Sequence, residues 1–230
     1  MLDARLTSAA KFVRQGATFA DVGTDHAHLP IFLLKEGIVA RAVCSDINEG
    51  PLNSARQNTE EAGLTRLVDF RLCDGAAELC GLGITDLAIC GMGGELIRDI
   101  IDAAVWLRDP TLRLILQPMT RQEKLREYLY REGFSILAEE YSSAEGKHYV
   151  TLLAEYRGTP REISSIEAQL GAQETVADKN DAYFGYLRTK LSAVRRRIHG
   201  RRLGGESVEC ESEIEREIIK RLEGECKNDC

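Results

Sequence analysis

An α/β fold followed by an antiparallel helical appendage is what this 230-residue sequence predicts, on three observations. Short apolar runs of strand length alternate with helical stretches as far as residue 156. Glycines at Gly37, Gly63 and Gly133 stand where those helices end, as C-terminal glycines commonly do. After Gly158–Thr159–Pro160 charge dominates and strand formers become sparse. Helices that regularly separate short strands imply a doubly wound parallel sheet with right-handed crossovers.

The elements follow in order. Leu6, Ala9, Ala10, Phe12 and Val13 give the opening helix an apolar face, leaving Arg5, Lys11 and Arg14 polar. Residues 18–22 predict a first strand and 29–36 a helix, with Pro30 in a first turn that tolerates proline. A second strand is expected at 40–45, a helix at 50–62 and a third strand at 68–73. The fourth strand, 87–90, leads to a helix at 95–106 that includes Trp106 as a core residue. Residues 112–117 read as a fifth strand and 121–131 as the helix behind it. Residues 134–141 and 148–156 close the sheet as an antiparallel pair. The chain thus divides into a catalytic-type α/β domain, 1–158, and a helical part, 159–230. Within the latter, Phe184, Leu187, Leu191, Val194 and Ile198 recur at alternating steps of three and four, a coiled-coil seam. Ile214, Ile218 and Leu222 supply a second stripe after a turn at Gly204–Gly205, so two helices folding back would bury both.

Composition narrows the function classes. No apolar run approaches the roughly 20 residues of a membrane span. The N-terminal residues lack the apolar core of a signal peptide, which points to the cytoplasm. The cysteines (Cys44, Cys73, Cys80, Cys90, Cys210, Cys226 and Cys230) form no C-x-x-C pair and have no histidine at ligand spacing. They read as reduced thiols and not as a zinc site or disulfide framework. A net charge of −7 argues against indiscriminate nucleic-acid binding but leaves room for a local basic surface.

The chemistry-bearing residues sit where the strands end. Asp21–Val22–Gly23–Thr24–Asp25–His26–Ala27–His28–Leu29–Pro30 reads as a buried strand, a tight turn at Gly23 and a helix start. It lacks G-x-G-x-x-G, and a dinucleotide pyrophosphate needs bare backbone and repels carboxylates. Asp21 and Asp25 instead favour a positive ligand, and S-adenosylmethionine (SAM) carries a sulfonium and an ammonium. A plain strand-to-helix turn accounts for the same residues without a ligand. Asp46, followed by Ile47, lies at the distance from Gly23 that reaches a ribose, where a carboxylate accepts from both hydroxyls. It or Asn48 also suits an N-cap of the next helix.

Asp74–Gly75 follows the third strand, where the carboxylate could accept from an adenine amine; it is also an ordinary turn signal. With Thr24, Ile47 and Gly75 beside them, three acids ending three successive strands make a candidate cofactor site. Gly91–Met92–Gly93–Gly94 ends the fourth strand and lets a ligand approach the main chain, with Met92 against a flat ring, or is merely a flexible connection. His26 and His28 adjoin the turn, as hydrogen-bonded spacers or as participants in catalysis. Arg195, Arg196, Arg197, Arg201 and Arg202, with Arg188, Lys190 and His199, are dense enough to meet a phosphate backbone. They could equally pair with Glu206, Glu209, Glu211 and Glu213 on the returning helix.

Together, the segment from Asp21 to Pro30, Asp46–Ile47–Asn48–Glu49–Gly50–Pro51–Leu52, Gly91–Met92–Gly93–Gly94 and Leu116–Gln117–Pro118 resemble the bacterial tRNA adenine-22 N1-methyltransferases, the TrmK family. The likeness covers essentially the whole chain. It departs at His28, where the family commonly has tyrosine, and at Met119, where it often has asparagine. The resemblance implies a Rossmann-like SAM-binding domain, a coiled-coil domain and methylation of N1 of an adenine in the tRNA D-arm. The implied partner is tRNA, with no metal and no membrane. It further implies an in-line attack by the adenine lone pair, for which orientation and desolvation matter more than a strong base. Asp25 is then the electrostatic candidate, and His26 or His28 would position the base or take a proton from N6. N1 lies on the pairing edge, so the nucleotide must be opened or flipped. Two rivals stand beside this: a SAM-dependent methyltransferase of a small molecule or another RNA position, and a non-catalytic RNA-binding protein with a vestigial SAM fold.

Overall fold

The computed structural model describes residues 2–223; Cys226 and Cys230, read above as thiols, lie outside them. Its strands are β1 (Ala17–Val22), β2 (Val39–Asp46), β3 (Val68–Leu72), β4 (Asp86–Gly93), β5 (Arg113–Thr120), β6 (Phe134–Ala144) and β7 (Lys147–Tyr156). They form one sheet in the order β3-β2-β1-β4-β5-β7-β6. The first five strands are parallel, and β7 runs antiparallel to both β5 and β6, as expected of the closing pair. Because β1 pairs with both β2 and β4, the strand order reverses beside it. A crevice opens beyond the carboxyl ends of the strands at such a point.

Helices α1 (Ala4–Ala10), α2 (His28–Lys35), α3 (Glu49–Glu61), α4 (Gly94–Ala103) and α5 (Gln122–Arg131) flank the sheet. Asp3 caps α1 by accepting from the Leu6 amide at 2.9 Å. In α4, Ile97, Ile100 and Ile101 recur at helical spacing and are buried against the sheet. Helix α4 stops at Ala103, and Val105–Leu107 form a separate 3₁₀ turn. Trp106 is only half-buried there, its indole N–H donating to the Ala76 carbonyl at 2.9 Å. Strand β4 corrects the expectation that the glycine run follows the strand. It continues through Gly93 with its register broken between Cys90 and Met92, where Gly91 takes φ +80°. The glycine acts as a bulge residue, which no L side chain would do as easily.

After α6 (Ser165–Leu170), α7 (Asp181–Leu203) and α8 (Glu209–Glu223) form the helical part. Ion pairs of Arg195 with Glu215 and Arg201 with Glu211 fix them as antiparallel. Of the two expected stripes, Phe184, Leu187, Val194, Ile198, Ile214 and Ile218 are buried. The start of α7 does more than pair with α8. Tyr183, Phe184, Tyr186 and Leu187 join the same apolar cluster as Tyr141 and Val150 of the sheet. Two guanidiniums then tie down the end of α6: Arg126 donates to the Ala168 carbonyl at 3.0 Å, and Arg221 to the Leu170 and Gly171 carbonyls at 3.2 and 3.1 Å.

Candidate active site

Two adjoining cavities of about 320 and 140 Å³ lie at the strand-order reversal and share Gly23 and Met92. The larger is lined by Asp21, Thr24, Asp25, His26, His28 and Gly91, the smaller by Ser45, Asp46, Ile47, Asp74 and Gly75. Every candidate cofactor and catalytic residue read from the sequence therefore reaches one cleft, although they come from four strand ends. Gly23, at φ +75°, is where the two halves meet. A Cβ built there would lie 1.9 Å from the Met92 Cε methyl, so the thioether rests directly on the glycine.

Burial dominates the charge at Asp21. Enclosure raises its carboxyl to about 6, and the neighbouring Asp46 charge pushes the same way. Closeness of Thr24 offsets part of this, although its buried Oγ1 makes no hydrogen bond of ordinary geometry. The buried Ser45 Oγ likewise makes no hydrogen bond of ordinary geometry, with the Cys73 thiol its near neighbour. Both hydroxyls line the cleft beside carboxylates, where a polar ligand can meet them. Asp46 serves the loop as well: its Oδ1 accepts from the Asn48 amide at 2.8 Å, and its second oxygen has no hydrogen bond among the described residues. Asn48 holds the N-cap position of α3, yet its side chain makes no capping bond.

The rim of the larger cavity is shaped by backbone geometry. Ala27, buried between the two histidines, has φ +54°, the left-handed region that non-glycine residues rarely adopt. The kink leaves His26 and His28 with ring centroids 5.3 Å apart, and His26 Nε2 is 3.3 Å from the Asp25 carboxylate. All three side chains are exposed at the mouth. Asn58 of α3 donates to the His26 carbonyl at 3.0 Å and holds the turn in place.

Some residues that support or line the cleft escaped the sequence reading. Gln117, fully buried, accepts from the Gly91 amide at 3.2 Å and so supports the bulge of β4. Its place in Leu116–Gln117–Pro118 was the available signal. Arg5 of α1 also faces the larger cavity, held by Asp3 at 2.8 Å and reaching the Met119 sulfur at 3.5 Å. Nothing local marks that arginine, since an amphipathic helix explains it fully. Cys90 lines the same cavity, and burial pushes its thiol well above the ordinary range.

The five arginines of the basic tract lie apart from the cleft, on α7, and they divide. Arg195 pairs with Glu215, and Arg201 with Glu206 and Glu211, so these two partly meet the pairing alternative. Arg196, Arg197 and Arg202 are exposed and make no ion pair among the described residues.

Residues 2–152 match the methyltransferase domain family. The tRNA (adenine(22)-N(1))-methyltransferase of Bacillus subtilis (strain 168) is 36% identical over 155 residues, which are 67% of this chain and 65% of that protein. That stretch thus spans just under two thirds of the curated relative. The solved structures reach further. Streptococcus pneumoniae Sp1610 in complex with S-adenosyl-L-methionine is 30% identical with a TM-score of 0.80, covering 94% of this chain and 100% of that one. The B. subtilis m1A22 tRNA methyltransferase TrmK is 28% identical with a TM-score of 0.78, covering 97% and 96%. M. capricolum TrmK in complex with S-adenosyl-homocysteine is 25% identical with a TM-score of 0.74, covering 97% and 95%. The likeness thus runs over nearly the whole length of this chain and of each solved relative, and the chain belongs to the methyltransferase domain family, in its TrmK branch.

Proposed function

We propose that the protein is a SAM-dependent tRNA methyltransferase that methylates N1 of adenine 22 in the D-arm. The observation that carries this reading is the single acid-lined cleft at the strand-order reversal, in a chain similar throughout to a SAM-bound relative. SAM supplies an electrophilic methyl group. Asp46 would hold its ribose, and Asp74 with Gly75 and Ile47 its adenine, in the smaller cavity. Asp21, Gly23, Thr24 and Gly91 would hold the amino-acid end in the larger one, where Arg5 is a cation available for a carboxylate.

Met92, on the boundary of the two cavities, would bear on the target ring. Asp25 at the mouth favours positive charge arriving on the adenine, and His26 or His28 would orient the base. Adenine N1 has a free lone pair at neutral pH, so these residues position and desolvate and no strong base is required.

Residues 159–230 would act as the part that grips tRNA, residues 1–158 as the part that methylates, in the cytoplasm where tRNA is found. Among the described residues there is no cluster of three metal-ligating side chains and no helix long and apolar enough to cross a membrane. Because α7 begins inside the sheet's own core, its role is better tested by charge replacement than by deletion.

The deciding experiment incubates the protein with SAM and unmodified tRNA and maps the methylated nucleosides by mass. A single N1-methyladenosine in the D-arm is expected. Methylation elsewhere favours the other-position rival, and tRNA binding without transfer favours the vestigial one.

A further inference from the structure

A third cavity, of about 410 Å³, lies between the end of β5, the β6–β7 turn and α7. Its chemistry is the reverse of the cleft's. Lys147, His148 and Lys190 line it, and no carboxylate does, in a chain whose acids outnumber its lysines and arginines by 37 to 30. Lys190 is held by neutral groups: it donates to Gln122 Oε1 at 3.3 Å and lies 5.3 Å from the Tyr186 ring centroid. Lys147 is exposed on the turn. Neither lysine has an ion pair among the described residues. Apolar surface comes from Met119 and the tyrosine rings. The buried Tyr186 hydroxyl has no hydrogen-bond partner.

The cavity neighbours the active site through residues whose walls touch. Arg5, which lines the acid cleft, contacts Met119 and lies over the Tyr149 ring at 5.5 Å, and both of those line the third cavity. Thr120, also in its wall, packs beside Gly93, where a Cβ would lie 3.3 Å from its Oγ1.

We propose that this cavity is a second nucleotide subsite. It takes a nucleotide next to the one being methylated, with Lys190 and Lys147 on the phosphate and the half-buried Met119 against the base or sugar. An anionic, flat-faced ligand fits a lining of cations and rings that holds no acid. Its place between the cleft and the helical tail is where a strand gripped by the tail and entering the cleft must pass. The inference rests on the tRNA reading, and its test separates the two.

Lys190→Gln and Lys147→Gln are compared with the unchanged protein for SAM affinity, tRNA KM and kcat, and the salt dependence of tRNA binding. Each is expected to raise the tRNA KM roughly five-fold near physiological salt and to flatten the log–log salt slope by about one. SAM affinity stays unchanged, and Lys190→Arg restores the KM. Lys147 lies on an exposed turn, so its variant reports even if Lys190→Gln disturbs the fold. If the unchanged protein methylates tRNA while both glutamine variants keep its KM and salt slope, the subsite is refuted and the enzyme reading stands. Should the unchanged protein methylate no tRNA, the enzyme reading itself fails.

Discussion

Arg126 and Glu139 face each other through two parallel hydrogen bonds of 2.9 and 2.8 Å, and neither side chain is open to solvent. Glu139 also accepts from the Tyr141 hydroxyl at 2.7 Å, while Arg126 holds the α6 carbonyl described above. The pair joins α5, the sheet edge and the helical part at one point. Glu139→Ala leaves a buried guanidinium without its partner and is expected to cost about 3–5 kcal/mol. An Arg126→Met, Glu139→Leu double substitution is expected to be far milder, since neither charge is then stranded. Chemical denaturation of the single and double variants measures this, and equal losses would show that the charges are not what matters.

Asp21 makes stability and ligand binding depend on pH in opposite senses. Its carboxyl is raised from 3.8 to about 6, so the folded chain favours the protonated form. Its stabilising contribution is full below pH 3.8 and is lost as pH rises through about 6. Asp21→Asn is therefore expected to stabilise the ligand-free protein at pH 7.5 by up to about 3 kcal/mol, an advantage that vanishes in acid. SAM, being cationic there, is expected to bind more tightly to the unchanged protein as pH rises from 5 to 7. The asparagine variant should bind weakly at both. Calorimetry across that range decides, and a flat profile for the unchanged protein would remove Asp21 from the site.

Gly23 and Gly16 separate backbone strain from crowding in the cleft. Both have strongly positive φ, +75° and +79°, but only at Gly23 does a Cβ meet another atom, the Met92 methyl. Alanine at either position should lose roughly 1–2 kcal/mol of stability for its left-handed backbone. Only Gly23→Ala, which drives Met92 off its seat, is expected to weaken SAM binding, by about ten-fold or 1.4 kcal/mol. Thermal melts and equilibrium dialysis on the two variants read the two effects separately.

The arginines of α7 are expected to rank by their partners. Replacing Arg196, Arg197 and Arg202 with glutamine should weaken tRNA binding and flatten its salt dependence by about one for each phosphate that is no longer neutralised. Arg195→Gln gives up a half-exposed pair with Glu215 and is expected to change stability by less than about 1 kcal/mol. Filter binding at several salt concentrations tests the order. A larger loss of tRNA binding from Arg195→Gln would reverse it.

What could be read from the chain and what could not follow from the range of each signal. Strand and helix periodicity is local, so the apolar runs of β1, β2 and β5 and the stripe of α4 were legible to within a few residues. The place of the acids that end β1 and β2 in the cleft was legible because their spacing from Gly23 is a property of the motif. Gln117 was not, since the Gly91 amide it supports is 26 positions away and only the pairing of β4 with β5 joins them. The burial of Arg126 with Glu139 had no local signal, because nothing in a sequence shows two ions being buried together. The run Gly91–Met92–Gly93 signalled a turn by composition, whereas neighbouring strands kept it in the sheet.

Arg126 of α5 on the Ala168 carbonyl and Arg221 of α8 on the Leu170 and Gly171 carbonyls tie α6, the root of the helical part, to the α/β domain on one side and to α8 on the other. The distance from the tip of α7 to the cleft is then a built-in gauge. On the tRNA reading proposed above, an RNA gripped by the tail would have to match that span or bend to it to bring its adenine to the cleft.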